Sequence, residues 1–536
     1  MKYLLLISIL SYFFGIFNTI LEIDAMQYAS MSRELLRSEN YLFLFDNGKP
    51  YLDKPPLIFW ITGVFFKLFG PYEITYRIPS LLFSLLTIYS TFKFSRLYYS
   101  ERTAEISALI LASCEALIIM NADVRTDIFL IGPMMLAIWQ LSSYFIFNSW
   151  LNLIVGSIAI SLAMMGKGPL GLIIPITLIG ADLLIRRRLQ ILYDIKIVVG
   201  FFIIAACLLP MSYGLYNQFG LDGIKFFYWT QSFGRISGES SWSNETGPLY
   251  LFNVFLYAFL PWTFIFLAAF YSRAKDILKG INKDKSEIIS FFGFLIPLIM
   301  LSLSNYKLPH YIYCVCPFAS ILTAFKLEEW MQNKKTYHLI FKTQNIVSLV
   351  MILIIFGISI FGFFTGLKFF IPPIILIFTF VIMRMTLVIK KAERLFIVSV
   401  FASVVCSYGF NLGIMKPLLE YQSQSSAASF IIENNLESYD IYQYDENPKA
   451  KSRSLNFYLD RNIEYLDSVS FNKLFTTEPI LVFTTKRGYE QLQKIPRNVE
   501  LVQVFNHTRV SKISGHFLNP KTRDGKLTEK YLLKIS

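Results

Sequence analysis

Thirteen apolar runs, most of them about long enough to cross a bilayer, constrain this chain more than any other feature. A membrane-spanning helix needs about 20 predominantly apolar residues. Such runs fall at 3–22, 78–97, 104–121, 127–147, 151–166, 168–185, 195–216, 249–271, 288–304, 309–325, 345–364, 368–388 and 395–415. In lipid each must satisfy its own backbone hydrogen bonds, so helices are expected. Composition agrees, with 54% of the 536 residues apolar and only 16% charged. A typical soluble domain is about 25% charged, which argues against a soluble enzyme. The 51 Phe and 31 Tyr argue against disorder. The first run follows Lys2, lacks a small-residue cleavage site and exceeds a signal-peptide core, so it reads as a retained span. Cys114, Cys207, Cys314, Cys316 and Cys406 all lie in apolar stretches, and no second Cys pair or His cluster joins Cys314 and Cys316. Membrane packing explains them better than a disulfide or metal framework.

The net charge of +13 marks orientation rather than a nucleic-acid partner. Every second connection is basic: Arg102; Arg186, Arg187, Arg188 and Lys196; Arg273, Lys275, Lys279, Lys283 and Lys285; Lys326, Lys334 and Lys335; Lys390, Lys391 and Arg394. The alternate short connections carry about one basic residue each, at Arg125, Lys167, Lys307 and Lys368. The positive-inside rule then places the N-terminus in the cytoplasm and the C-terminus outside. Three segments read as extramembrane: the loops 23–77 and 217–248, and the tail 417–536. The tail alternates β-like runs (Asp440–Tyr444, Ile463–Leu466, Ile480–Thr484, Val499–Phe505) with helix-like ones (Ser454–Leu459, Gly488–Gln493) and predicts a small soluble α/β domain. The expected architecture is a polytopic α-helical membrane domain over 1–416 with this domain over 417–536.

The unusual ionisable residues gather at the outer ends of the spans, where such groups are functional by default. They are Glu22 and Asp24; Asp53 and Lys54 in Tyr51-Leu52-Asp53-Lys54-Pro55-Pro56; Arg77; Asp123-Val124-Arg125-Thr126-Asp127; Lys167 in Gly166-Lys167-Gly168-Pro169; and Lys307 with His310 in Asn305-Tyr306-Lys307-Leu308-Pro309-His310-Tyr311. Singly, each has an ordinary explanation. Arg77 could snorkel to head groups. Lys54 could sit in a solvated turn. Asp123 and Asp127, four apart, would share one helix face and could charge a helix start. Jointly, carboxylates and cations on one membrane face fit an anionic, membrane-borne substrate, because Lys and Arg bind phosphate and a carboxylate can act as a base. A flippase would instead show discontinuous helices at mid-membrane depth and inverted repeats. A receptor or structural protein would leave the rim charges without a purpose.

These motifs, in this order, resemble the polytopic GT-C glycosyltransferases of the dolichyl-phosphate-mannose protein mannosyltransferase superfamily, and most of all the branch of the bacterial lipid A aminoarabinose transferases. The carrying residues are Asp24 through Ala29, Tyr51 through Leu57, Trp60, Tyr76-Arg77-Ile78-Pro79, Arg125-Thr126-Asp127, Met165 through Pro169, Leu260-Pro261-Trp262 and Lys307 through Tyr311. Three family positions differ: Ala25 and Gln27 replace a Glu and an Arg, and Asp53 replaces a Glu. The resemblance implies a GT-C-type fold and inverting transfer of one sugar from an undecaprenyl (polyprenyl) phosphate to an acceptor on the outer face of the inner membrane. Lipid A or lipopolysaccharide is the implied acceptor, with another surface glycan or protein hydroxyls as the alternative. It also implies roles. Asp24 and Asp127 are the catalytic carboxylates. Lys54, Arg77 and Lys307 bind the donor phosphate. Tyr28, Tyr51, Asp53, Lys167, His310 and Tyr311 line the sugar and acceptor pocket, and Ser237–Thr246 corresponds to a mobile outer loop. No nucleotide cofactor is needed outside the cell, and a divalent metal is compatible with the resemblance.

Overall fold

The structure, a computed structural model, describes residues 1–38, 40–231, 234, 243–244, 246–279, 287–363, 373–374, 377, 393–445, 453–474 and 478–536. Its chain divides into two compact units. The first comprises Met1–Phe17, Leu35–Ile354 and Ile371–Tyr408; the second comprises Asn18–Glu34, Ile355–Phe370 and Gly409–Ser536.

The first unit is a helical bundle. In the whole chain six described helices are long and apolar enough to cross a membrane: Thr126–Phe147, Trp150–Lys167, Ile195–Thr230, Pro309–Met331, Lys334–Phe363 and Arg394–Leu419. Two bent pairs raise the number to 8 if each is one span. Lys2–Gly15, Leu57–Phe69, Leu170–Ile185 and Ile289–Ser302 are shorter apolar helices. Of the run expected at 368–388, only residues 373–374 and 377 are among the described residues.

Two runs expected to be continuous are broken. The run 104–121 splits into Glu101–Ala112 and Glu115–Ala122, bent by 48°. Ser113 and Cys114 leave helical geometry there, and the Trp262 indole donates to the Ser113 hydroxyl at 2.9 Å. The run 249–271 splits into Tyr250–Ala258 and Thr263–Leu278, bent by 120°. Pro261 sits in that break, where a residue without a backbone N–H is tolerated. The loop expected over 23–77 in turn contains the apolar helix Leu57–Phe69, with Leu57, Ile58, Phe59 and Phe66 buried. Its length falls short of a span, which is why a search for long apolar runs passes over it.

Small side chains let the bundle close. The helix Glu73–Tyr98 buries Ser80, Ser84, Thr87, Ser90, Thr91 and Ser95. Thr87 and Thr91 return their hydroxyls to the carbonyls of Phe83 and Thr87, at 2.8 Å each, while Ser80 donates to Met120 O at 3.1 Å. Such residues permit close backbone approach between helices in lipid. Gly132 of Thr126–Phe147 shows how close: a Cβ there would stand 2.9 Å from Phe83 O.

A two-stranded hairpin in the first unit pairs β1 (Phe45–Asp46) with β2 (Lys49–Pro50). The second unit carries a five-stranded sheet of β3 (Asp440–Tyr444), β4 (Glu464–Leu466), β5 (Ile480–Thr485), β6 (Val499–His507) and β7 (Thr528–Ile535), in the order β4-β3-β5-β7-β6. β3 runs parallel to β4 and β5, and β7 is antiparallel to β5 and β6. Alternate residues of β5 feed opposite faces. Leu481 and Phe483 pack with Ala427, Ala428, Ile431 and Leu455, while Ile480 and Val482 pack with Leu466, Phe471 and Leu492. The β-like and helix-like runs read in the tail are strands and helices to within a few residues. β7 has no counterpart among those runs, because Glu529, Lys530 and Lys534 break its apolar alternation into what resembles a charged tail.

Candidate functional site

Three cation–carboxylate pairs in the first unit form the candidate site, and each is positioned by a break in regular structure. The first follows the β1–β2 hairpin. Asn47 and Gly48 take positive φ of 52° and 74° at its turn, the backbone twist that favours an Asn-Gly hairpin. The chain leaves β2 with the Tyr51 N–H bonded to Leu44 O at 2.9 Å, and Pro55-Pro56 then set the entry to the helix Leu57–Phe69. Between them, Lys54 Nζ donates to Asp53 Oδ2 at 2.7 Å. The Gln231 side-chain amide donates to the Asp53 carbonyl.

The second pair sits between two helices. Asp123 and Arg125 have extended backbones after Ala122 and before Thr126, so Asp123 does not share a helical face with Asp127. Helical spacing does not apply across a non-helical link. Arg125 instead turns back on Asp123, with Nε at 2.8 Å and Nη2 at 2.7 Å from Oδ2.

The third pair is the most buried. Asp127 lies in the first turn of Thr126–Phe147 and is 2% exposed. Its Oδ1 meets the ammonium of Lys167, the last residue of Trp150–Lys167. Its Oδ2 lies 3.5 Å from His310 Nε2 and, among the described residues, makes no hydrogen bond. Lys167 Nζ also stands 3.9 Å from the centre of the buried Tyr311 ring, a cation–π contact. Gly166 makes this approach feasible, because a Cβ there would collide with Phe129 O. The pairs are coupled: the charges of Lys54 and Asp127 act on Lys167, and those of Lys54, Arg125 and Lys167 act on His310.

Other expected residues are placed differently. Arg77 is 3% exposed and gives its guanidinium to backbone carbonyls, Ala122 O and Ile16 O at 3.2 Å each. It ties helix ends together rather than presenting a free charge to a phosphate. Lys307 is 6% exposed and donates to Thr246 O at 3.1 Å. Asn244 brackets the same lysine, accepting from Lys307 N at 3.0 Å and donating to Lys307 O at 2.7 Å. Of the expected loop Ser237–Thr246, residues 237–242 and 245 lie outside the described residues. Tyr51 meets the Phe59 ring edge-on at 6.1 Å. Asp24 and Tyr28 belong to the second unit. Asp24 opens the helix Asp24–Arg37, where the helix dipole favours a carboxylate, and Tyr28 is buried one turn later. The Asp123–Arg125 pair has no assigned catalytic or binding role in the sequence; its signal is three charges within five residues between two apolar runs. Among the described residues, no group of three or more His, Cys, Asp or Glu forms a metal cluster.

The family model described as dolichyl-phosphate-mannose-protein mannosyltransferase matches residues 53–213, a stretch that includes Lys54, Arg77, Asp127 and Lys167. An uncharacterized protein of Aquifex aeolicus is 27% identical over 480 residues, covering 86% of this chain and 88% of its own. The undecaprenyl phosphate-alpha-4-amino-4-deoxy-L-arabinose arabinosyl transferase of Wigglesworthia glossinidia brevipalpis is 26% identical over 322 residues, 58% of this chain. That match spans 56% of the transferase, or about half its length. The crystal structure of ArnT from Cupriavidus metallidurans bound to undecaprenyl phosphate superposes with a TM-score of 0.75 at 17% identity, covering 99% of this chain and 97% of that one. The chain thus has the multi-helix fold of that membrane transferase, and over residues 53–213 it is similar to the mannosyltransferase family model. Its similarity in sequence to the arabinosyl transferase covers 58% of this chain, and its similarity in fold to ArnT covers 99%.

Proposed function

We propose that this protein transfers a single sugar, with inversion, from an undecaprenyl (polyprenyl) phosphate to lipid A or lipopolysaccharide on the outer face of the bacterial inner membrane. The observation that carries this reading is the set Lys54–Asp53, Arg125–Asp123 and Lys167–Asp127–His310, in which three cations all act electrostatically on His310. A lipid phosphate needs cations of this kind. In the relatives named as arabinosyl transferases, the donor is an undecaprenyl phosphate sugar.

The chemistry is a displacement at the anomeric carbon. An acceptor oxygen forms the new C1–O bond while the bond from C1 to the phosphate oxygen breaks. The electron pair stays on the departing polyprenyl phosphate, and a hydroxyl acceptor passes its proton to a carboxylate. Lys54 is assigned to the departing phosphate, where neutralising growing charge lowers the barrier most. Asp24 and Asp127 are assigned to the acceptor and the sugar, as base or as charge stabiliser. A phosphate acceptor is already anionic and needs no base. Tyr28, Tyr51, Asp53, Lys167, His310 and Tyr311 are assigned to the sugar and acceptor pocket. Arg77 and Lys307 keep the donor-phosphate role only if their carbonyl bonds open on binding. The topology proposed with it has thirteen spans, a cytoplasmic N-terminus and a periplasmic 417–536 domain.

The test is mass spectrometry of lipid A and surface glycans from a deletion strain and from a strain complemented with Lys54→Ala. Loss of one sugar mass from lipid A in both is the expected result. Loss from a protein glycan instead would move the acceptor to protein hydroxyls, and no change in any glycan would overturn the transferase reading.

A further inference from the structure

A second candidate binding site lies wholly in the C-terminal sheet domain, and nothing in the transferase reading uses it. An open cleft of about 840 Å³ forms at the end of the sheet where β5 and β6 finish and β7 begins. Nine of its ten lining residues are polar or charged. Thr485, Lys486 and Arg487 come from the end of β5, Asn506 and His507 from the end of β6, and Thr528, Glu529 and Lys530 from the start of β7; Asp524 and Leu527 close it. Cavities of about 300–1,000 Å³ are the usual size for small-ligand sites, and this one is larger than a lone inorganic ion needs.

Charge decides what it fits. Lys530 pairs in register with Thr485 on one side and Phe505 on the other. Among the described residues its ammonium makes no hydrogen bond or contact ion pair. Burial draws its proton affinity below that of an ordinary lysine, and only Asp445 opposes this, through space. A partly buried cation without a contact partner is costly, which marks a place for an anion. Lys486 and Arg487 add two more cations at the cleft wall. The lining carboxylates Asp524 and Glu529 offset two of these three charges, which leaves the lining net cationic by one, and Glu529 is held by the Tyr531 hydroxyl at 2.5 Å. His507 adds no charge at neutral pH: burial, with the Lys530 charge beside it, holds its pKa down to about 4. Its Nδ1 is engaged with the Ser423 hydroxyl at 2.9 Å. Thr485, Asn506 and Thr528 supply hydroxyl and amide groups suited to sugar hydroxyls.

We propose that this cleft binds a phosphorylated saccharide, with Lys530, Lys486 and Arg487 on the phosphate and Thr485, Asn506 and Thr528 on the sugar. The same chemistry could come from a soluble sugar phosphate or from a phosphorylated glycolipid head group.

The experiment is equilibrium dialysis of the full-length protein in detergent with radiolabelled glucose 1-phosphate. Unlabelled glucose and inorganic phosphate serve as competitors. Lys530→Gln and the surface variant Lys486→Ala/Arg487→Ala should each weaken binding by about tenfold or more, the scale of a lost charge-assisted hydrogen bond. Lys54→Ala should leave it unchanged, which separates this cleft from the rim site. Both competitors should displace the label only weakly. Unaltered affinity in both cleft variants, or a loss confined to Lys54→Ala, would overturn the proposal. So would glucose competing as well as glucose 1-phosphate, or inorganic phosphate doing so. The double variant keeps the test decisive if Lys530→Gln misfolds. Given binding, displacement of the label by diphosphoryl lipid A in nanodiscs assigns the site to a head group, and failure to displace it assigns the site to a soluble sugar phosphate.

Discussion

Lys54→Ala separates chemistry from folding better than any other substitution at the rim. The Lys54 and Asp53 side chains are 22% and 30% exposed, and their 2.7 Å pair is accessible enough for solvent to screen it. Partly exposed pairs of this kind contribute about 0–1 kcal/mol, so the variant should keep its expression and its thermal stability. On a phosphate the same ammonium is worth more, about 1.5–3 kcal/mol for a charged hydrogen bond. Lys54→Ala should therefore lower kcat/KM by roughly 10- to 100-fold. Because the assigned role is to neutralise the leaving phosphate, kcat must fall as well as donor affinity. Lys54→Arg should rescue only in part, since a planar fork does not replace a point charge in a Pro-stiffened loop. The assay is steady-state kinetics on purified protein, varying a defined polyprenyl-phosphate sugar at saturating acceptor. A normal kcat and a normal donor KM in Lys54→Ala would remove the phosphate contact. A raised KM with unchanged kcat would reduce it to binding alone.

Four further outcomes are expected. Lys167→Met leaves the 2%-exposed Asp127 without its cation and should destabilise the detergent-purified protein by about 3–5 kcal/mol; adding Asp127→Asn should recover much of the lost Tm, and a double variant no more stable than the single one would refute the pair's role. Asp24→Asn should abolish turnover, and a residual rate above about a tenth of wild type, a loss under ~1.4 kcal/mol, would reduce Asp24 to a helix-start residue. Reporter fusions at residues 280 and 430 should give opposite topology signals, and equal signals would break the outward-facing arrangement. His507 titrates near 4 when folded, below the ~6.5 of an unfolded histidine; its stabilising contribution is whole above about 6.5 and is lost as pH falls toward 4. Hydrogen-exchange protection of β6 and β7 in the full chain, corrected for intrinsic rates, should decline over that window, and less steeply in His507→Asn.

What the sequence made legible follows the length scale of each signal. Apolar runs such as 127–147 need only one residue class repeated over many positions, and the helix Thr126–Phe147 starts and ends within a residue of the reading. Breaks depend on one or two residues acting against a helical background. The 120° bend at Pro261 and the 48° bend at Ser113 and Cys114 therefore vanished into longer apolar runs. Site residues show the same division. Charges at the ends of apolar runs stand out by their rarity in membrane segments, and Asp127, Lys167 and His310 were all visible that way. Their pairing was not, because Asp127 and Lys167 are 40 positions apart and meet only when two helices pack. Arg77 marks the limit of residue chemistry as a guide. A guanidinium serves a phosphate or a set of backbone carbonyls equally well, and only the proximity of Ala122 O and Ile16 O determines which it meets in this structure. The rim thus divides by what each cation touches. Lys54, Arg125 and Lys167 rest on carboxylates, which a phosphate can replace by competing for the same charge. Arg77 and Lys307 hold backbone carbonyls, so recruiting them would require the helix ends themselves to move.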